Sequence, residues 1–261
     1  MINDITQFKL DSPSNQMGGN NALIEILNLK KSFGAQEVLK NVSFDLFPGE
    51  NLVMLGKSGT GKSVIIKCIV RLIQADSGLI KIFGKDVNTL NRVELIYMRE
   101  KIGFLFQSGA LYDSMTVKQN LEFPLRRLTQ RLTEKEIEDK VYDVLDHLGL
   151  SNTLHKMPSQ LSGGMRKRIS LARTIIVNPL IMLYDEPTTG LDPVTSSEIS
   201  NLINEVKLKY KTSSIIITHD IKCASITADR ILMLQDGAVY KEGTKTQMEA
   251  EEDPLVRSFY E

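Results

Sequence analysis

The sequence predicts an α/β fold, in which short apolar strands alternate with helices. The apolar run 52–55 is followed by a glycine-rich turn and then by the helical pattern 64–70. Three later apolar runs, 102–106, 180–184 and 214–218, are equally short, and each ends at polar residues. Such alternation of strands and helices is typical of the α/β class.

Length and composition are those of a globular protein with one large domain or two small ones. Of the 261 residues, 42% are hydrophobic and 25% are charged, and 32 basic residues balance 32 acidic ones. This balance favours neither nucleic acid nor an anionic membrane as a partner, so we expect no nucleic acid. Cys68 and Cys223 lie in apolar helical patterns and are expected to be buried thiols in a reducing cytosol.

The first part of the chain combines a leader with two strands. Residues 1–20 end in a run of Ser, Pro, Asn and Gly that predicts a flexible leader. Strands are predicted at 23–29 and 38–47, and Phe33 lies between them. An aromatic side chain there either stacks on a nucleotide base or packs on its own sheet, and the residues leave both readings open.

The turn after residue 55 has the residue types and spacing of a phosphate-binding loop. Its glycines let the backbone fold tightly, so that successive N–H groups and the start of the next helix point at one anion. The Lys62 ammonium can reach the terminal phosphates of a nucleotide, and the Ser63 hydroxyl can ligate Mg²⁺. We therefore predict a nucleotide-phosphate site rather than a glycine turn with a solvated lysine. Its predicted residues are Gly56, Lys57, Ser58, Gly59, Thr60, Gly61, Lys62, Ser63 and Val64.

A loop of unusual composition follows the apolar run 102–106 and the polar residue that ends it, Gln107. The stretch 108–116 is loop-like, yet it carries Leu, Tyr and Met. Such side chains either pack beneath the loop or form a docking surface for a partner. The segment 116–157 is predicted to be mostly helical, because a capping box at Thr133-x-x-Glu136 precedes apolar residues at helical spacing.

A second glycine-rich helix start lies about a hundred residues after the first. Ser162, Gly163 and Gly164 precede a basic helix and again offer backbone amides and a hydroxyl to an anion. One nucleotide has one γ-phosphate, so a chain with two such helix starts favours a two-fold dimer. Each protomer would then lend its second site to the nucleotide of the other.

Carboxylates follow the apolar run 180–184 directly. Asp185 ends the strand, where an α/β fold places a carboxylate that holds Mg²⁺ through water. Glu186 comes next and is the candidate general base. Gln107 and His219 each follow a predicted strand, so both could face the γ-phosphate; the alternatives are a satisfied amide and a surface histidine.

The last predicted elements are a helix and a hairpin. The helix spans about 194–210, and the strands 230–235 and 238–242 are joined by Asp236-Gly237. This dipeptide between two apolar runs is a strong hairpin signal.

Together, these motifs resemble those of an ATP-binding cassette (ABC) ATPase. They follow the family's order over about residues 22–245, namely the phosphate loop, Gln107, Leu-Ser-Gly-Gly at 161–164, Asp185-Glu186, Gly190-Leu191-Asp192 and His219. The resemblance implies a phosphate-loop NTPase core with a largely parallel sheet, an antiparallel β subdomain and an α-helical subdomain inserted at about 108–175. It further implies an ABC ATP-binding domain over 21–245 and a C-terminal tail over 246–261.

The resemblance also implies roles for single residues. Phe33 would stack on the adenine of ATP, Asp192 would communicate across the dimer, and His219 would sense the γ-phosphate. At the Mg²⁺ ion the expected residues are Ser63, Asp185 and Gln107. Ser162, Gly163 and Gly164 would contact ATP bound to the other protomer.

Within that family the chain resembles the ATPase of Mce-type lipid transporters, which maintain outer-membrane lipid asymmetry in bacteria and serve chloroplasts. The grounds are the segments 106–117 and 184–193, together with Met165 in place of the glutamine usual after Leu-Ser-Gly-Gly. Met165 departs from the general family but agrees with the subgroup. Lys57 stands where proline is usual in the loop, and this departure could perturb nucleotide affinity without removing any expected contact.

The subgroup implies a homodimer at the cytoplasmic face of the inner (plasma) membrane. It would drive phospholipid transport through a separate integral-membrane permease, with an Mce-domain substrate-binding protein as a further partner. One alternative is the ATPase of another importer, for polar amino acids or metal chelates. Another is a soluble ABC protein acting on ribosomes or DNA, but that class usually carries two cassettes, coiled coils or zinc modules.

Overall fold

Among residues 22–260, which the computed structural model describes, ten strands form one sheet and nine helices surround it. The predicted leader, residues 1–20, lies outside the described residues. The strands are β1 (Ile24–Phe33), β2 (Gln36–Leu46), β3 (Asn51–Leu55), β4 (Ser77–Ile82), β5 (Lys85–Asp86), β6 (Ile102–Leu105), β7 (Ile181–Asp185), β8 (Ser213–Thr218), β9 (Arg230–Gln235) and β10 (Ala238–Thr244). The helices are α1 (Lys62–Ile69), α2 (Arg92–Glu100), α3 (Val117–Leu125), α4 (Glu134–His147), α5 (Gly163–Ile175), α6 (Pro193–Tyr210), α7 (Ile221–Thr227), α8 (Lys245–Glu249) and α9 (Pro254–Tyr260).

One half of the sheet is parallel and carries the site at its edge. The strand order is β5-β4-β1-β2-β10-β9-β3-β8-β7-β6, and the last five run parallel to one another. Every residue of β3, β7 and β8 is buried, as expected of apolar strands covered on both faces. Because parallel strands end at a common edge, four predicted site segments meet there. They are Gly56 after β3, Gln107 after β6, Asp185 at the end of β7 and His219 after β8.

The other half of the sheet is antiparallel. Strands β5, β4, β1 and β2 pair in that order, and the β9–β10 hairpin links them to the parallel strands. The predicted turn Asp236-Gly237 has positive φ at both residues, 49° and 79°, as a two-residue hairpin turn with the right twist requires. The predicted fold class, a largely parallel core with an antiparallel β part, is therefore confirmed.

The helices between β6 and β7 form the predicted helical insertion. The first two of these helices begin at capping boxes. Thr116 and Gln119 form the one at α3, and Thr133 and Glu136 form the one at α4. Short 3-10 turns at Ser151–Thr153 and Pro158–Gln160 lead into α5.

Two hydrophobic cores lie on opposite faces of the parallel strands. On β3, Val53 and Leu55 join the core formed with α3 to α6, whereas Leu52 and Met54 join the core formed with α1 and the antiparallel strands. The alternation follows from the two-residue period of a strand. Cys68 in α1 and Cys223 in α7 are buried free thiols, as predicted, and burial raises the pKa of each to about 11.

The C-terminal segment after residue 245 is helical and packed. Met248 of α8 and Val256 of α9 are buried in the same core as the helical insertion. The Tyr240 hydroxyl on β10 donates to the Asp253 carboxylate at 2.8 Å, which anchors the start of α9. The domain boundaries drawn from the sequence stay predictions. No helix among residues 22–260 is long and apolar enough to cross a bilayer.

Candidate nucleotide site

The phosphate loop connects β3 to α1 and wraps a cavity of about 510 Å³. Gly61 caps the helix with φ 97°, and a Cβ on it would lie 2.6 Å from the Leu39 side chain, so no other residue fits there without a shift. No side chain among residues 22–260 caps α1. The first amides of this helix are thus left to a ligand in the cavity, which is the arrangement that binds a phosphate.

Lys62 is held inside the loop by main-chain oxygens. Its ammonium is buried and donates to the carbonyls of Gly56 at 2.6 Å and Lys57 at 3.0 Å. Burial lowers the pKa of Lys62, and the nearby Glu186 and Asp185 carboxylates oppose that shift. The side chain therefore places a buried positive charge at the wall of the cavity.

A hydroxyl and a carboxylate form the part of the site that suits Mg²⁺. The Ser63 hydroxyl donates to the Asp185 carboxylate at 2.7 Å, and Asp185 is only 6% exposed at the end of β7. Both groups present oxygen, the donor that Mg²⁺ prefers. One protein carboxylate suffices, because Mg²⁺ at a nucleotide keeps waters and takes phosphate oxygens as its other ligands. Gln107 lines the same cavity.

Glu186 is fixed by its backbone and by two side chains. Its φ of 51° lies in the left-handed region, which is rare for a residue with a side chain, and its amide donates to Ile217 at 2.9 Å. The carboxylate lies 2.8 Å from His219 Nδ1 and accepts from the Thr189 hydroxyl at 3.2 Å. Both Glu186 and His219 line the cavity, so the candidate general base and a second polar group face the space available to a nucleotide.

Lys167 belongs to the neighbourhood of the site, although the sequence reasoning did not include it among the site residues. The residue is 6% exposed, and its ammonium donates to the carbonyls of Gln107 at 3.0 Å and Glu186 at 3.4 Å. Burial lowers the pKa of Lys167. A signal was available, because Lys167 lies four residues before the buried Leu171 and so falls on the apolar face of α5.

The second glycine-rich helix start lies apart from this cavity. Ser162 and Gly163 are exposed and line a different cavity of about 370 Å³, together with Asp192 and Thr195 of the same chain. The Ser162 hydroxyl accepts from the Met165 amide at 3.2 Å. Asp192 caps α6 by accepting from the Val194 and Thr195 amides, each at 3.0 Å. Hydrogen bonds from Thr195 lower the pKa of Asp192.

The structure thus gathers some predicted site residues and leaves others apart. The cavity is lined by ten of them, namely Lys57, Ser58, Gly59, Gly61, Lys62, Ser63, Val64, Gln107, Glu186 and His219. Phe33 lies at the end of β1, 48% exposed and outside the cavity lining. Phe259 of α9 lines the cavity and was not predicted.

Fold and site together define a nucleotide-hydrolysing cassette, and comparison with known proteins gives its family. The family model described as ABC transporter matches residues 39–189. The chain belongs to the ABC transporter family.

Two curated relatives have different names. The chain is 39% identical over 236 residues to a protein of Mycobacterium leprae named probable ribonucleotide transport ATP-binding protein mkl, with 90% of this chain and 68% of that protein covered. It is 35% identical over 284 residues to an Arabidopsis thaliana protein named TRIGALACTOSYLDIACYLGLYCEROL 3, chloroplastic, covering 98% of this chain and 81% of that protein.

A solved structure shows the same fold with reaction products bound. The ATP-binding cassette MJ0796, described as a dimer in a post-hydrolysis state bound to ADP and Pi, is 32% identical. It matches 85% of this chain and 98% of its own with a TM-score of 0.76.

These findings confirm several expectations drawn from the sequence. The protein is an ATPase that uses ATP with Mg²⁺, and it is the ATP-binding subunit of an ABC transporter. Within the family it resembles the ATPases of Mce-type transporters. ATPase domains of this family form dimers and work with a membrane permease.

Proposed function

We propose that the protein drives phospholipid transport as a homodimer, through a separate permease at the cytoplasmic face of the inner membrane. The observation that carries this proposal is the segment 106–117, whose residues resemble those of Mce-type ATPases and which links the nucleotide cavity to the surface. An Mce-domain protein is the proposed substrate-binding partner.

Within each protomer, the residues around the cavity have separate roles in hydrolysis. Lys62 and the free amides at the start of α1 hold the terminal phosphates. Ser63, Asp185 and Gln107 would hold Mg²⁺, which would supply positive charge against the phosphates. Glu186 accepts the proton of the attacking water, and His219, in contact with Glu186 at 2.8 Å, senses the γ-phosphate.

The homodimer follows from the position of the second helix start. Ser162 and Gly163 are exposed, and the cavity that they line contains none of the residues of the phosphate loop. A two-fold related copy places this surface over the nucleotide of its partner. Phe33 on the adenine and Asp192 at the dimer contact complete the proposed composite site.

The loop after Gln107 offers a surface for the permease. Tyr112 is 40% exposed, and its ring lies 4.8 Å from the ring of Phe123. The guanidinium of Arg173 lies 4.6 Å from the Tyr112 ring centre, and that of Arg127 lies 4.2 Å from the Phe123 ring centre. Two rings flanked by two positive charges fit a short cytoplasmic helix with an apolar face and acidic residues beside it.

The proposed cargo is tested by reconstitution. The chain is co-purified with a permease and an Mce-domain protein, and the complex is placed in lipid bilayers that contain a fluorescent phospholipid. We expect Mg·ATP to drive movement of that lipid between the bilayer and the Mce-domain protein. A complex with Glu186→Gln is the matched control and should bind ATP without moving lipid. An active ATPase complex that moves no lipid would refute the proposed cargo.

A polar solute is the second candidate cargo. The name of the M. leprae relative, which refers to ribonucleotide transport, favours it. The same complex is therefore assayed for uptake of a labelled ribonucleotide, a polar amino acid and a metal chelate. Uptake of one of these, with ATPase activity that rises with its concentration, would replace phospholipid as the cargo.

A further inference from the structure

Helix α5, which follows the signature Leu-Ser-Gly-Gly at 161–164, contacts the loop after β6 at three positions spaced three residues apart. Lys167 donates to the Gln107 carbonyl at 3.0 Å. Three residues on, Ser170 packs so closely on Gly109 that a Cβ there would lie 2.5 Å from the Ser170 hydroxyl. After three more residues, Arg173 donates to the Ala110 carbonyl. Residues three apart are neighbours on a helix surface, so one side of α5 holds the start of this loop at residues 107–110.

Of these three side chains, Lys167 also reaches a second segment. Its ammonium lies 3.4 Å from the Glu186 carbonyl, so one buried charge joins α5, the loop after β6 and the turn after β7. A buried ammonium is costly unless hydrogen bonds and opposite charges surround it. Here the two carbonyls accept hydrogen bonds from the ammonium, and the carboxylates of Asp185 and Glu186 favour its charged form.

The Glu186 backbone needs such support. Its φ of 51° is a strained conformation that persists only when its surroundings hold it. The amide side is held by the Ile217 carbonyl at 2.9 Å. The carbonyl side is held by Lys167 and by the Thr189 amide, both at 3.4 Å. Of the groups that make these contacts, Lys167 is the one on α5, the helix that Ser162 caps.

We propose that Lys167 is a positioning residue for ATP hydrolysis, whose ammonium keeps the Gln107 and Glu186 main chains in place relative to the signature helix α5. This proposal rests on the proposed function, in which Ser162 at the start of α5 engages the nucleotide of the partner. When Ser162 engages that nucleotide and α5 moves, Lys167 transmits the movement to Glu186 and to the loop that faces the permease. Lys167 does not line the nucleotide cavity, so it acts through these main chains and not on the substrate.

The test compares Lys167→Met with Lys167→Arg in the full chain. Methionine keeps the length and burial of the side chain but donates no hydrogen bond, whereas arginine keeps the charge and the donors. We expect Lys167→Met to lower kcat roughly 10- to 100-fold, as a small misplacement of catalytic groups does, while KM for ATP changes less than about twofold. Lys167→Arg should recover most of kcat. Lys135→Met removes a positive charge from the exposed face of α4 and should leave kcat unchanged.

Two further readouts do not depend on turnover. Binding of Mg·ATP, followed as the rise in melting temperature on adding it, should be the same for Lys167→Met and wild type. Hydrogen exchange should quicken in the segments 107–110 and 186–189 of Lys167→Met and stay unchanged elsewhere. Wild-type kcat in Lys167→Met would overturn the proposal, and so would equal loss of kcat in Lys167→Met and Lys167→Arg. A wild-type chain that forms no ATP-dependent dimer would instead overturn the proposed composite site.

Discussion

Helices α1 and α5 both begin at a glycine-rich turn, but their surroundings differ. The start of α1 has no side-chain cap and lines a cavity shared with Gln107, Glu186 and His219. The start of α5 is capped by Ser162 and is exposed, with only Asp192 and its neighbours from the same chain nearby. The first start thus lies beside Lys62, Asp185 and Glu186. Of the carboxylates near the second start, by contrast, Asp192 caps α6 and Glu198 pairs with Arg168.

The difference shows that similar turns need not have similar tasks. A helix N-terminus attracts an anion wherever its amides are free, but hydrolysis also needs a metal ligand and a base. Among residues 22–260, the candidates for these two roles, Asp185 and Glu186, lie at the first start. The second start can contribute amides and a hydroxyl, and it becomes useful when a second protomer brings a nucleotide to it.

Removing the base should have the largest effect. We expect Glu186→Gln to bind Mg·ATP as wild type does but to lower ATP turnover by about 10²–10⁴-fold, because glutamine cannot accept the proton of the attacking water. The measurements are phosphate release and the shift in melting temperature with Mg·ATP. Turnover close to wild type would remove Glu186 from this role.

The variant Tyr112→Asp replaces the exposed ring in the loop after β6 with a negative charge. We expect it to weaken permease binding by roughly 100-fold, because an uncompensated charge is costly in an interface. The measurement is co-purification with the permease. Arg173 lies over this ring and can pair with an aspartate, so Tyr112→Ala serves as a second variant without that charge. Unchanged melting temperature with lost co-purification supports docking. A large fall in melting temperature would instead mark Tyr112 as core, and normal behaviour of both variants would exclude this surface.

Substitutions at two neighbouring glycines at the start of α5 allow effects on packing and on function to be measured separately. A Cβ on Gly163 would lie 3.8 Å from Leu191, an ordinary contact, whereas one on Gly164 would lie 2.8 Å from Thr195. We expect Gly163→Ala to keep or raise stability, because alanine favours a helix by about 0.5–1 kcal/mol. Its turnover should nevertheless fall roughly tenfold, since the methyl group obstructs the phosphate of the partner's nucleotide.

The control for Gly163→Ala is Gly164→Ala, which should lose about 1–3 kcal/mol of stability from overpacking. The measurements are urea unfolding and phosphate release. Full turnover in a stable Gly163→Ala protein would show that no phosphate approaches this turn.

The smallest expected effect concerns the helix caps. Ser162→Ala and Thr133→Ala each remove a side chain that accepts from a first-turn amide, so each should cost about 1 kcal/mol of stability. Only Ser162→Ala should also lower ATP turnover, because Thr133 caps α4 away from both cavities. Equal turnover in the two variants would leave Ser162 with a structural role alone.

Local signals predicted most of this fold and part of the site. The capping box at Thr133, the hairpin turn at Asp236-Gly237 and the short apolar strands all depend on neighbouring residues, and each is present. The position of Glu186 and Gln107 at one sheet edge also followed, since parallel strands end together. These features need no knowledge of distant contacts.

Other features depend on contacts between distant parts of the chain. Lys167 reaches carbonyls 60 and 19 residues away, and Phe259 reaches the cavity from the last helix. The helical pattern of α5 indicates that Lys167 is buried, but no local pattern encodes which carbonyls it meets or that Phe259 reaches the cavity, because both follow from how helices pack on the finished sheet. The roles of Phe33 and Asp192 stay predictions, since a nucleotide or a second protomer is needed to test them.

We propose that each nucleotide is hydrolysed between two protomers, and a mixture of two inactive variants distinguishes this arrangement from hydrolysis within one protomer. Lys62→Ala disables the phosphate loop, and Ser162→Arg blocks the signature start. If the signature acts on the other protomer, both lesions of a mixed dimer fall in one site and the second site is intact. An equal mixture should then recover roughly a quarter of wild-type turnover, since half of the dimers are mixed and half of their sites are whole. Vanadate trapping of one Mg·ADP per mixed dimer, read alongside turnover, shows an intact site even if the two sites must cooperate. Mixed dimers that neither hydrolyse ATP nor trap nucleotide would contradict the claim.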